Sequence, residues 1–191
     1  MRVLLVDQSA ERAESLRAAL LQAGYQVTAS LSSPLALLET IAQFQPDVIV
    51  IGTDSPSRDV LDHLVMLSRH RPRPVVMFAS DATRETIREA TGAGVSAYVV
   101  DGLDPARIQA IIEAAMARFE QMQMLKAQLA EANMKLAERK LVERAKGLLM
   151  KSRGLDEEAA YAALRKMAMD RSLRLAEVAQ RLVDAADLLG A

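Results

Sequence analysis

Hydrophobic positions in the first hundred residues follow two alternating patterns. Short apolar runs lie at Val3–Val6, Asp47–Ile51, Pro74–Phe78 and Ala97–Val100, with a weaker one at Gln26–Ser30. Between them, apolar residues recur three and four apart at Ala10–Ala23, closed by Gly24, at Pro34–Gln43, at Asp59–Arg69, and at Thr83–Thr91, closed by Gly92. The runs have the length and aliphatic content of buried strands, and the spaced stretches have the period of amphipathic helices. Their alternation predicts an α/β domain with a doubly wound, five-stranded parallel sheet covered by helices on both faces. Ligands of such sheets sit beyond the carboxyl ends of the strands. The positions to inspect are therefore Asp7, Gln8, Gly52, Ala79, the neighbouring Ser80, and Asp101.

From Pro105 the pattern changes. No proline follows, glycine is absent until Gly147, and no strand-like run returns. The stretch reads as one long helix with two heptad series. The first is Ile108, Ala115, Met122, Leu129 and Leu136; the second is Ile112, Phe119, Lys126, Asn133 and Lys140. An Asn at a seam position fixes register and favours two strands. A parallel two-stranded coiled coil over 105–140 is therefore expected, with Ile108, Ile112, Ala115, Phe119, Met122, Leu129, Asn133 and Leu136 at the dimer seam.

Beyond it, Gly154 ends a helix and Asp156 is a good N-cap, with Glu157 and Glu158 in the first turn. Ala160, Ala163, Leu164, Met167 and Ala168 form that helix's apolar side. Asp170–Ser172 break it. Ser172 is expected to cap a third helix that buries Leu175, Val178, Ala179, Leu182 and Val183. The fold class is thus α/β plus all-α, ending in a three-helix module.

Composition narrows the chemistry. Hydrophobic residues make up 51% of the 191, but aromatics only 3%, so the core is aliphatic. The absence of cysteine excludes disulfides and thiolate ligands. His63 and His70, the two histidines, lie seven apart on one predicted helix and do not face each other as metal ligands. No enzyme chemistry, metal or cofactor is expected. No apolar run reaches the ~18 to 20 residues of a membrane span, so a cytoplasmic protein is expected.

The net charge of −1 conceals a concentration of cations. Arg139, Lys140, Arg144, Lys146, Lys151 and Arg153 lie in a stretch with one acid, Glu143; Arg165, Lys166, Arg171 and Arg174 follow. Clustered cations are an electrostatic footprint for nucleic acid.

The segments RVLLVDQ, PDVIVIGTDSP, PVVMFAS and GVSAYVVDG, in this order, resemble the receiver domain of bacterial response regulators, over about 1–115. The resemblance implies the flavodoxin-like fold and a phosphorylation pocket. Two acids after the first strand would hold Mg²⁺, an aspartate after the third would accept phosphate, and a hydroxyl and a lysine would follow. This chain has Asp7 then Gln8, Gly52 for the acceptor, Ala79 for the hydroxyl and Asp101 for the lysine. Mg²⁺ needs carboxylate oxygens, glycine has no nucleophile, and an acid at 101 repels phosphate. A degenerate pocket without phosphoryl transfer is expected.

AKGLLM, EEAAYAALRKMAM and LAEVA resemble the ANTAR domain of transcription antitermination regulators, over about 123–185. Its pairing with a receiver is similar to the NasT-like, nitrate-responsive members. The resemblance implies RNA as partner, held by Arg144, Lys146, Lys151, Arg153, Arg165, Lys166, Arg171 and Arg174. Tyr161, the module's one aromatic, is the candidate for stacking on a base. It also implies a homodimer on paired leader-transcript hairpins and control by a cytoplasmic ligand-sensing partner protein. Gly147 and Ala145 are expected to allow close helix packing, and Met150, Met167 and Met169 to lie in the core. The alternative is a DNA-binding response regulator.

Overall fold

A computed structural model describes residues 1–33, 36–100 and 105–189. The chain divides into two compact units, Met1–Gln123 and Met124–Ala191.

In the first unit, β1 (Arg2–Asp7), β2 (Gln26–Leu31), β3 (Val48–Thr53), β4 (Val75–Ala79) and β5 (Ala97–Val100) form one parallel sheet in the order β2-β1-β3-β4-β5. The helices between them are α1 (Ala10–Gln22), α2 (Leu37–Phe44), α3 (Arg58–His70) and α4 (Arg84–Gly92). Successive strand residues point to opposite faces, and the core divides accordingly. Leu4, Val6, Ile49, Ile51 and Met77 pack with Leu37, Ile41, Leu64 and Leu67. Val3, Leu5, Val48, Val50 and Val76 pack with Leu16, Leu20, Ile108 and Ile112. The strands carrying both sets, β1, β3 and β4, are continuously apolar because both faces are covered.

The fifth helix covering the sheet is the start of α5 (Pro105–Arg153). This corrects the expected dimer seam. Ile108, Ile112 and Ala115 are 0%, 0% and 1% exposed, part of the sheet's own core. These residues finish the layer that α1 begins and are unavailable to a second chain. Over so few turns, a 3.5-residue seam and a 3.6-residue packing stripe predict the same residues.

The second unit packs the end of α5 against α6 (Glu157–Asp170) and α7 (Leu175–Leu189). Its core holds Ala145, Leu149, Ala160, Leu164, Ala168, Val178, Ala179 and Val183. Gly154 turns the chain at φ +65°. Asp156 then caps α6, its side chain accepting the Ala159 N–H at 2.7 Å.

The start of α7 differs from expectation. Ser172 sits in the left-handed region at φ +51° and does not cap the helix. Glu177 instead reaches back to accept the Arg174 N–H at 2.9 Å, half of a capping box. Gly147 is also not a packing glycine, since a Cβ there would meet nothing within 4 Å. No described helix is long and apolar enough to cross a membrane.

Candidate nucleic-acid interface and receiver pocket

Parallel register sets Asp7 of β1 beside Gly52 of β3, and Thr53 beside Ala79 of β4. The expected pocket residues Asp7, Gly52 and Ala79 are therefore brought together, while Asp101 lies outside the described residues. Gln8 is exposed.

Asp7 is buried and fully engaged. Its carboxylate accepts the Ser9 N–H at 2.8 Å, the Arg12 Nε–H at 2.8 Å and a second Arg12 N–H at 3.0 Å. Arg12 reaches this place because Ser9 caps α1 and so puts Arg12 in its first turn. The guanidinium also donates to Asp54 Oδ1 at 2.5 Å. The hydrogen bond to Asp7 is the main cause that raises the Arg12 pKa above its ordinary value, against an opposing effect of burial.

Gly52 is a steric requirement of this arrangement. A Cβ there would lie 1.9 Å from Asp7 Oδ2 and 2.8 Å from both Asp7 Cγ and Leu16 Cδ1. The Asp7 carboxylate occupies the space that a side chain at 52 would need.

The pocket does not fit Mg²⁺. Its one buried carboxylate is forked by a guanidinium, and no cluster of three or more ligating side chains exists among the described residues. No step through a metal is available here.

In the second unit the expected RNA-binding residues separate into three groups. Lys146 is the correction. Its residue is only 7% exposed, and its Nζ donates to both Glu143 oxygens, at 3.0 and 2.8 Å, and to Glu157 Oε1 at 2.7 Å. The bonds to Glu143, then to Glu157, raise the Lys146 pKa, and Lys146 in turn lowers that of Glu157. Lys146 is a structural cation, hydrogen-bonded inside the fold.

Arg144 and Arg174 have exposed partners. Arg144 meets Asp187 at 2.5 Å; Arg174 meets Glu177 at 3.4 Å and Glu138 at 3.8 Å. Exposed pairs contribute about 0–1 kcal/mol, so a phosphate can displace them. Lys151, Arg153, Arg165, Lys166 and Arg171 are exposed, with no acidic partner among the described residues.

Tyr161 is 45% exposed. It shares one stripe of α6 with Arg165 and Met169, at steps of four residues. Met169 is 71% exposed and Met150 is 38% exposed, which removes both from the expected core; Met167 does pack against it. The stripe offers a ring, a cation and a soft apolar side chain, which together suit an unstacked base beside its phosphate.

On α5, Met122, Leu125, Leu129 and Leu136 are all about half exposed or more. With Ala132 they form a wholly apolar 3-4 series. Phe119 is half-buried, and Asn133 and Lys126 flank the series rather than belong to it. Leu125 falls one residue before Lys126, so it lies off the heptad series that runs through the buried Ile112.

Residues 3–113 match the response regulator receiver domain, more than half of the chain, and residues 130–183 match the ANTAR domain. The chain belongs to the response regulator family and carries a C-terminal ANTAR domain.

This ANTAR regulator is 29% identical to the transcriptional regulatory protein PdtaR of Mycobacterium tuberculosis over 183 residues, 96% of this chain and 89% of that one. It is 49% identical to the nitrate regulatory protein of Klebsiella oxytoca over 63 residues, 33% of this chain and 16% of that one. A protein-glutamate methylesterase of Xanthomonas oryzae is 38% identical over 102 residues, but shares only the receiver. A receiver domain from Desulfovibrio desulfuricans has the same fold, with a TM-score of 0.56 at 19% identity, covering 63% of this chain and 97% of that one.

Proposed function

We propose that the C-terminal unit of this antitermination regulator binds RNA, and that two copies joined along α5 hold paired hairpin loops of a leader transcript. Holding both hairpins disfavours a competing terminator, and RNA polymerase reads through. The observation that carries the reading is the exposed face of α6, where Tyr161, Arg165 and Met169 share a stripe beside Lys166.

Cations left without acidic partners attract phosphates by counterion release. Single-stranded loops present bases that stack on an aromatic. Lys151, Arg153 and Arg171 add charge, while Lys146 maintains the fold. The apolar series Met122, Leu125, Leu129, Ala132 and Leu136 supports the dimer.

Similarity to the Klebsiella nitrate regulatory protein favours nitrate or nitrite assimilation genes as the target. Since the receiver pocket lacks an acceptor, control falls to a ligand-sensing partner protein in the cytoplasm that sequesters the regulator.

The test is binding of the full-length chain to a leader RNA with two hairpins, to the same RNA with both loops replaced, and to duplex DNA of equal length. Tight binding to the first alone is expected, and Tyr161→Ala should weaken it by about tenfold or more, the loss of one stacked base. Equal binding to all three rejects the reading.

A further inference from the structure

The ionic residues around Asp7 are one end of a connected chain of hydrogen bonds. Arg12 ties Asp7, at the end of β1, to Asp54 in the loop after β3. The Asp54 carbonyl accepts the N–H groups of Ser80 and Asp81, at 3.1 and 2.9 Å, in the loop after β4. The Asp81 carboxylate accepts the Ser55 hydroxyl at 2.9 Å, the Thr83 N–H at 2.8 Å and the Thr86 hydroxyl at 2.9 Å. The Asp81 carbonyl accepts the Tyr98 hydroxyl at 2.9 Å, which reaches β5.

We propose that Arg12 is a built-in cation that takes the place of a bound metal in this receiver, fixing its β3–α3 and β4–α4 loops and Tyr98 in one ligand-independent conformation. Three observations carry this further than loss of an acceptor alone would.

The first is steric. The Asp7 rotamer that meets Arg12 exists only because residue 52 has no side chain. Gly52 and Arg12 thus form one arrangement, in which the missing acceptor makes room for the ion pair.

The second is electrostatic. Asp7 is buried, and a buried carboxylate needs a partner. Arg12 supplies a permanent charge through a planar fork that meets both oxygens. A divalent ion would have to displace that fork and would find no second buried carboxylate among the described residues.

The third is connectivity. Each link from β1 to β5 is made by groups of the chain itself, so the α4–β5 edge needs no ligand to set its position. A partner protein that docks on this edge meets a constant face, and its own ligand becomes the only variable. This inference is independent of the RNA reading.

Hydrogen exchange of the full-length chain tests it. In the native protein, millimolar magnesium with beryllofluoride should leave exchange at 52–56, 80–86 and 97–100 unchanged. Arg12→Gln should accelerate exchange in all three segments by about tenfold or more, as expected when local opening becomes easier. Arg12→Lys, a point charge without the fork, should fall between.

Asp54→Ala changes an exposed side chain and serves if Arg12→Gln does not fold. It should accelerate 52–56 and 80–86. Protection of the native chain by magnesium and beryllofluoride overturns the proposal. So does an Arg12→Gln effect confined to 7–12, which would mark a purely local helix-start contact. If Arg12→Gln does not fold, native exchange at 80–86 in Asp54→Ala overturns it equally.

Discussion

Two glycines have opposite physical meanings in this molecule. Gly52 is confined, with the Asp7 carboxylate in the space its Cβ would take. Restoring the aspartate of an ordinary receiver should therefore harm the protein. Gly52→Asp must expel Asp7 from the Arg12 fork and add a second carboxylate beside it. We expect urea unfolding of the full-length chain to show the receiver destabilised by about 2–4 kcal/mol, and acetyl phosphate to leave the variant unlabelled. Gly147 is the reverse case, an exposed glycine inside a helix with open space where a Cβ would be. Alanine is favoured over glycine there by about 1 kcal/mol. Gly147→Ala should raise the stability of the second unit by about 0.5–1 kcal/mol and weaken RNA binding, because a glycine that packs against nothing in the fold leaves room for a ligand's close approach. The vacancy at 52 could be read from the sequence, since a strand ending in Gly lacks a nucleophile. Its occupant could not. Arg12 is an ordinary first-turn helical cation until Ser9 sets the start of α1 and points it at Asp7.

The 49-residue helix α5 serves three environments in succession: the sheet, solvent, and the C-terminal core. Sequence periodicity identifies the helix but not where one role yields to the next. Ile108, Ile112 and Ala115 continue in step with Met122 and Leu129, yet only the latter pair is exposed. Two substitutions separate the roles. Ile112→Ala removes buried volume and should cost the receiver about 3 kcal/mol in urea unfolding, leaving the self-association constant alone. Leu129→Lys alters a 63%-exposed side chain, so unfolding should change by no more than about 0.5 kcal/mol. If two copies join along α5 as proposed, sedimentation equilibrium should show the native chain dimeric and Leu129→Lys monomeric, since a charge placed in that apolar series would stay unpaired. The strands were easier to read. Runs such as VIVI at 48–51 are apolar at every position because both faces of the sheet are covered, and no helical period imitates that. The α7 cap was harder, because Glu177 works from inside the helix while Ser172, the better capper by type, turns left-handed.

At the scale of the whole molecule, charge is sorted rather than abundant. A net charge of −1 is compatible with nucleic-acid binding only if the cations are gathered and left unpaired at one place. Composition could not show which cations those are. Lys146, Arg165 and Lys166 look alike in sequence, but Lys146 is enclosed by Glu143 and Glu157 while the other two face solvent. The salt dependence of RNA binding should reveal this sorting. Each phosphate neutralised on single-stranded RNA adds about −0.7 to the slope of log affinity against log salt. With Lys151, Arg153, Arg165, Lys166 and Arg171 engaged, one module on one hairpin should give a slope of about −3 to −4. A dimer on a two-hairpin leader should give about twice that, with an affinity raised further because the second contact is intramolecular. Arg165→Gln should make the one-hairpin slope shallower by about 0.7. Lys146→Gln should leave the slope unchanged while lowering the unfolding midpoint, because its charge is spent on the fold. An equal loss of slope for both variants would mean that the ion pairs of Lys146 open on binding. In that case the contact surface on α5 extends from Lys151 and Arg153 back to Lys146.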